Sequence, residues 1–131
     1  MKVSLISLFL ILALVVGGCA TKPETNASVE RQELKVDPEI LYALTVSELF
    51  EDRLPQADGS SLLQVQFAVD VHSNADLAWK VTWFDDTGMT VKGVGEGYRK
   101  ATLITGQTRY FRATAPHSRV ASYQLHLREP Q

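Results

Sequence analysis

The chain has 131 residues, with 13 basic and 15 acidic side chains, a formal net charge of −2 and one cysteine. That length suits a single small domain with a modest core, and a lone thiol excludes an internal disulfide as its staple. The near-neutral balance, with no basic run, gives no footing for nucleic-acid binding.

The first predicted element is a secretory signal. Lys2 precedes an apolar run from Val3 to Val16, and the small pair Gly17-Gly18 follows, which is the three-part form of a signal peptide. At about 14 residues the run is short of the roughly 20 a membrane span needs. A plain signal peptide, or a single span with Cys19 as an ordinary residue, is the alternative. Val16-Gly17-Gly18-Cys19 resembles the lipobox of bacterial lipoproteins. The resemblance implies removal of residues 1–18 and lipidation of the Cys19 thiol. A single acyl chain binds a bilayer only marginally and stable anchoring takes two signals, a condition a triacylated cysteine meets. With Ala20 rather than Asp after the cysteine, the resemblance to such lipoproteins also implies the outer membrane, with the domain lipid-anchored on its periplasmic face.

Residues 19–36 come next. After Cys19 the stretch is charged, polar and small, with no aromatic residue, so it has little apolar area to offset the entropy of ordering. It is expected to be a flexible tether. Asn26-Ala27-Ser28 matches a glycosylation triplet but reads as an ordinary linker in a bacterial periplasm.

Residues 37–131 form the expected domain. A strand is expected at Leu41–Val46, followed by a polar loop from Arg53 to Ser61. Leu63, Val65, Phe67, Val69 and Val71 alternate with polar or small residues, and Leu77, Trp79, Val81 and Trp83 repeat the pattern. Period two marks strands with one buried face. His72 to Asp76 has turn chemistry, so the two runs are expected to pair as a hairpin. Met89–Lys92 is expected as a short return strand, and residues 93–97, rich in glycine, as a loop or bulge. Thr108–Ala115 and Arg119–Arg128 complete the set. Six or seven short strands with no amphipathic helix predict an all-β, immunoglobulin-like antiparallel β-sandwich, with a small barrel as the competitor. Trp79 and Trp83 share a strand face. That places at least one in the core, against the alternative of a ligand-stacking platform.

Leu62-Leu63-Gln64-Val65-Gln66, Trp79 to Asp85 with Gly88, Ala115-Pro116 and Tyr123 to Arg128 together resemble the YcfL family of small envelope lipoproteins. The resemblance covers about residues 40–128 and the signal. It implies a lipid-anchored immunoglobulin-like sandwich and brings no catalytic residues.

The residues themselves offer little chemistry. His72, His117 and His126 fall in separate elements, and Ser118 beside His117 makes no triad. No GxSxG elbow, zinc-ligand spacing or P-loop lysine occurs. Asp85, Asp86 and Glu96 are a candidate calcium cluster, with a solvated acidic turn as the plainer reading. Arg99, Lys100, Arg109, Arg112 and Arg119 are candidates for an anionic glycan or lipopolysaccharide headgroup, against a mixed soluble surface. No enzyme, cofactor or metal is expected, and no small-molecule ligand. The expected function is a non-catalytic binding or adaptor module of the envelope, held by its lipid and meeting an envelope protein. Binding or processing of a cell-wall or lipid ligand is the alternative.

Overall fold

The computed structural model describes residues 29–93 and 97–131. The period-two runs become strands: β1 (Leu34–Val36), β2 (Leu44–Pro55), β3 (Ser61–Val71), β4 (Ala75–Asp85), β5 (Arg99–Leu103), β6 (Thr108–Thr114) and β7 (Val120–Arg128), with one 3-10 turn at Pro38–Ile40. The order β1-β7-β4-β5 makes a four-stranded sheet and β2-β3-β6 a three-stranded one. This is the expected seven-stranded β-sandwich. Its layers resemble the ABED and CFG sheets of the immunoglobulin fold, but β2 to β7 take the places G to B in reverse chain order, with β1 added beside β7, so the connectivity differs from that fold.

The two inner faces meet over a shared core. Val65, Phe67 and Val69 of β3 face Leu77, Trp79 and Trp83 of β4 and Leu125 and Leu127 of β7. At its centre Phe67 meets Trp79 edge-on at 5.2 Å and stacks on Phe111 at 5.0 Å, and Trp79 lies 5.5 Å from Phe111. Such pairs add about 0.5–1.5 kcal/mol each beyond area burial. Both tryptophans belong to this core, at 5% and 7% exposure, so neither is a ligand-stacking platform.

The expected hairpin of residues 63–71 and 77–83 does not form, because β3 and β4 lie in different sheets. The short link is pulled both ways. The His72 and Ser73 amides donate to the Ala43 carbonyl, before β2, while Asn74 Oδ1 accepts from the Thr105 amide and hydroxyl, between β5 and β6. The turn residues therefore form an arch between layers.

The expected tether of residues 19–36 is also corrected, in its described part. The Val29 amide donates to the Val46 carbonyl, and β1 pairs in parallel with β7, Leu34 opposite Leu125. Val29, Leu34 and Val36 pack against the core. The domain thus includes residues 29–36 rather than starting at 37, and the sandwich is antiparallel except at this one pair. β2 begins at Leu44 and runs on to Pro55, which shortens the expected loop to residues 56–60. Gly59 supplies the positive φ of 86° that turn needs. Met89–Lys92 contributes only an isolated bridge, Thr90 to Phe84. The β5 edge strand had no counterpart in the sequence reading.

Candidate functional site

Because alternate residues of a strand face opposite ways, the pairing registers fix what each outer face carries. On the four-stranded sheet Lys35 of β1 lies opposite His126 of β7, and His126 opposite Lys80 of β4. In the next row Arg128 faces Ala78, which faces Lys100 of β5. Tyr98 lies across these rows. Its ring has Arg128 stacked on it at 3.6 Å and Lys80 at 5.7 Å, and its hydroxyl is 2.7 Å from His126 Nδ1. His126 Nε2 is in turn 2.7 Å from Asp37 Oδ1. The bond to His126 holds the Asp37 carboxyl below its usual range, with Lys35 and Arg128 adding to the effect. The Arg128 Nε is buried without a hydrogen-bond partner, so ring stacking holds this guanidinium. Among the described residues, Lys35, Lys80, Lys100 and Arg128 outnumber the carboxylates placed on this face, Asp37 and Asp76.

The outer face of the three-stranded sheet has the opposite character. The rows Glu48–Ala68–Tyr110, Phe50–Gln66–Arg112 and Asp52–Gln64–Thr114 cross it, and Asp70 faces Thr108. Phe50 and Tyr110 are 59% and 61% exposed. Gln66 Oε1 accepts from Arg112 at 2.8 Å. Here, among the described residues, Glu48, Asp52 and Asp70 outnumber the one cation, Arg112.

At one seam between the sheets, Arg31 pairs with Glu51 of β2 and donates to the Leu49 carbonyl at 3.2 Å. The guanidinium holds Glu51 below the usual carboxylate range. The Tyr123 hydroxyl is buried beside this pair, and burial together with the nearby Glu51 carboxylate pushes its pKa well up. A cleft of about 60 Å³ at the other seam is lined by Trp79, Trp83, Gly93, Arg99 and Pro116, room for a few waters rather than a ligand. A hollow of about 490 Å³, open to solvent, lies between the β2–β3 loop and His117-Ser118. Its polar groups are engaged locally: Asp58 Oδ1 accepts from the Ser60 amide and hydroxyl, and His117 Nδ1 from the Arg119 amide.

The sequence candidates fall as follows. Cys19, the expected lipidation site, lies outside the described residues, as do residues 1–18, the expected tether up to Ser28, and Glu96. Asp85 caps its own turn, accepting from the Thr87 and Met89 amides and the Thr87 hydroxyl. Among the described residues no three His, Cys, Asp or Glu side chains gather to hold a metal, and no helix is long and apolar enough to cross a membrane. The five basic candidates separate. Arg99 stacks over Trp79 at the seam, Lys100 joins the four-stranded face, Arg109 donates to the Thr102 carbonyl, Arg112 lies on the opposite face and Arg119 in a loop. His72 bonds Thr45, and His126 is part of the Asp37–Tyr98 chain. Reasoning from sequence missed Lys35, Lys80, Tyr98 and Arg128. For Lys80 and Arg128 the signal was their alternation with buried neighbours.

These features define a small all-β sandwich with two outer faces of opposite charge. The family described as "Protein of unknown function (DUF1425)" matches residues 43–129, and the chain belongs to it. No curated protein sequence matches. Of solved structures, that of Campylobacter jejuni cj0090 is similar with a TM-score of 0.61 at 19% identity, over 76% of this chain and 100% of that one. A DUF1425 family member from Shewanella sp. pv-4 is similar with a TM-score of 0.54 at 24% identity, over 67% of this chain and 79% of that one. Both likenesses concern the fold.

Proposed function

We propose that this chain is a YcfL-like, lipid-anchored adaptor of the bacterial envelope. In this reading Cys19 carries the lipid at the periplasmic face of the outer membrane, and the sandwich is a non-catalytic module that docks a protein. The observation that carries it is the pair Phe50 and Tyr110, both exposed on one outer face among Glu48, Asp52 and Asp70. Exposed aromatics are the residue type that anchors protein contacts. The surrounding carboxylates select a partner with basic side chains at its rim. The interior, filled by Phe67, Trp79 and Phe111, leaves recognition to the surface. The clamp at Val29 also matters. Roughly ten residues separate it from Cys19, and they span at most about 33–36 Å, so the module stays near its membrane. A lipid ligand is the second reading, favoured by the cationic four-stranded face.

The test is metabolic lipid labelling and membrane fractionation of the wild type and Cys19→Ser, joined to in-cell crosslinking and mass spectrometry. The expected result is lipid on Cys19, loss of membrane attachment in the variant, and adducts to one dominant protein through the Phe50–Tyr110 face. A variant that fractionates and labels like the wild type overturns the anchor. Adducts to glycan alone overturn the adaptor.

A further inference from the structure

Charge is divided across this molecule in a way that its small net charge conceals. Lys35, Lys80, Lys100 and Arg128 share the outer face of the four-stranded sheet, while Glu48, Asp52 and Asp70 share that of the three-stranded sheet. The layers are about 10 Å apart, comparable with a Debye length of about 8–10 Å at ordinary ionic strength. Each face therefore presents its own sign to whatever lies against it. The cations stand in two adjacent rows on a sheet rather than around a cavity. Neighbouring strands lie about 4.8 Å apart, so Lys35 and Lys80, on either side of His126, are about 10 Å apart. Such a flat array matches a surface of many phosphates better than one enclosed anion. Tyr98, stacked under Arg128 and touching His126, adds an amphipathic ring of the kind favoured at membrane interfaces.

We propose that the four-stranded face, through Lys35, Lys80, Lys100, Arg128 and Tyr98, lies on the phosphate headgroups of an anionic lipid surface. This orientation turns Phe50 and Tyr110 away from the bilayer, toward a protein partner. The proposal rests on the anchored reading for its proximity to membrane, since charge complementarity alone also suits a soluble anion. The short chain between Cys19 and Val29 supplies the high local concentration that a weak electrostatic contact needs. The contact has a defined strength. A basic side chain near an anionic leaflet contributes about 1 kcal/mol, so removing one weakens association roughly fivefold and removing two about 25-fold.

The test uses the full chain in nonionic micelles, titrated with a short-chain anionic phospholipid while backbone amide shifts are followed by nuclear magnetic resonance. Parallel titrations use the zwitterionic homologue and inorganic phosphate. Expected are shifts at Lys35, Lys80, Tyr98, Lys100 and Arg128 with the anionic lipid only. Lys80→Gln should weaken the effect roughly fivefold and Lys80→Gln with Lys100→Gln about 25-fold, with Arg112→Gln on the opposite face neutral. Equal shifts with inorganic phosphate overturn the lipid surface in favour of a free-anion site. Shifts confined to the Phe50–Tyr110 face, or none, overturn the proposal outright. Intact mass at Cys19 in the same sample keeps the two readings apart. Lipid on Cys19 without shifts removes the face and spares the anchor. Shifts without lipid on Cys19 remove the anchor and spare the face.

Discussion

Replacing Phe67 and Phe50 by alanine, one at a time, tests the assignment of faces on which every functional statement depends. The two residues differ most in burial: Phe67 is 1% exposed and Phe50 59%. Truncating a buried phenylalanine costs about 3–5 kcal/mol. Phe67 belongs at the top of that range because it loses two aromatic partners, Trp79 at 5.2 Å and Phe111 at 5.0 Å. About 5 kcal/mol is a large share of the 5–15 kcal/mol that stabilises a typical domain. For a domain near 100 residues it lowers the melting temperature by roughly 20–40 °C. Phe50→Ala, at an exposed position, should change stability by less than about 0.5 kcal/mol. Urea unfolding followed by tryptophan emission measures both, with Trp79 reporting on the core. A one-residue slip in β2 or β3 would exchange the faces. If Phe50→Ala proved the costlier substitution, the registers and the two outer faces derived from them would be wrong.

Three further outcomes follow from local geometry. Arg31→Gln removes the Glu51 pair and the bond to Leu49. It should cost about 1 kcal/mol at low salt and less at high salt, and no cost in denaturant melts would mean that the Arg31–Glu51 pair does not help tie residues 29–33 to β2. For Gly93→Ala, the new Cβ would lie 2.5 Å from Pro116 Cβ and 2.9 Å from its Cγ. The forced shift should cost about 1–3 kcal/mol, and an unchanged melting temperature would refute that close approach. The Asp37 carboxyl is held below its unfolded pKa chiefly by His126, so its stabilisation is present above the unfolded value and is lost as pH falls through the folded one. The melting-temperature gap between wild type and Asp37→Asn should therefore be full at neutral pH and close in acid. A gap that widens in acid would contradict the sign.

Much of the fold could be read from residue spacing. The runs at Leu63–Val71 and Leu77–Trp83 and the closing Tyr123–Leu127 segment were legible because each alternates cleanly, and that alternation also gave the tryptophans their place. Pairing was not legible. Period two says which face is buried, not which strand lies alongside, so the arch at His72–Asn74 looked like a hairpin turn. Its true geometry is set by bonds to Ala43 and Thr105, both distant in sequence. β1 escaped notice because its few apolar residues, Leu34 and Val36, sit in a polar stretch, and their stability comes from β7. β5 escaped because only Leu103 of Arg99–Leu103 is buried, and a charged, short edge strand carries little apolar signal. The same limit hid the cationic face. Lys80 and Arg128 were marked as outward by their parity, but only the registers bring Lys35 and Lys100 into their rows, and only a contact across the sheet brings Tyr98 onto His126.

The proposed adaptor role has the aromatic, acidic face of the three-stranded sheet meeting a protein while the opposite face does not. Site-specific photocrosslinking in cells tests it directly, with the photoreactive residue placed at Phe50, at Tyr110 or, on the other face, at Lys80. Expected are one common protein adduct from Phe50 and Tyr110 and none of it from Lys80. The same adduct from Lys80, or no protein adduct from either aromatic position, would contradict it.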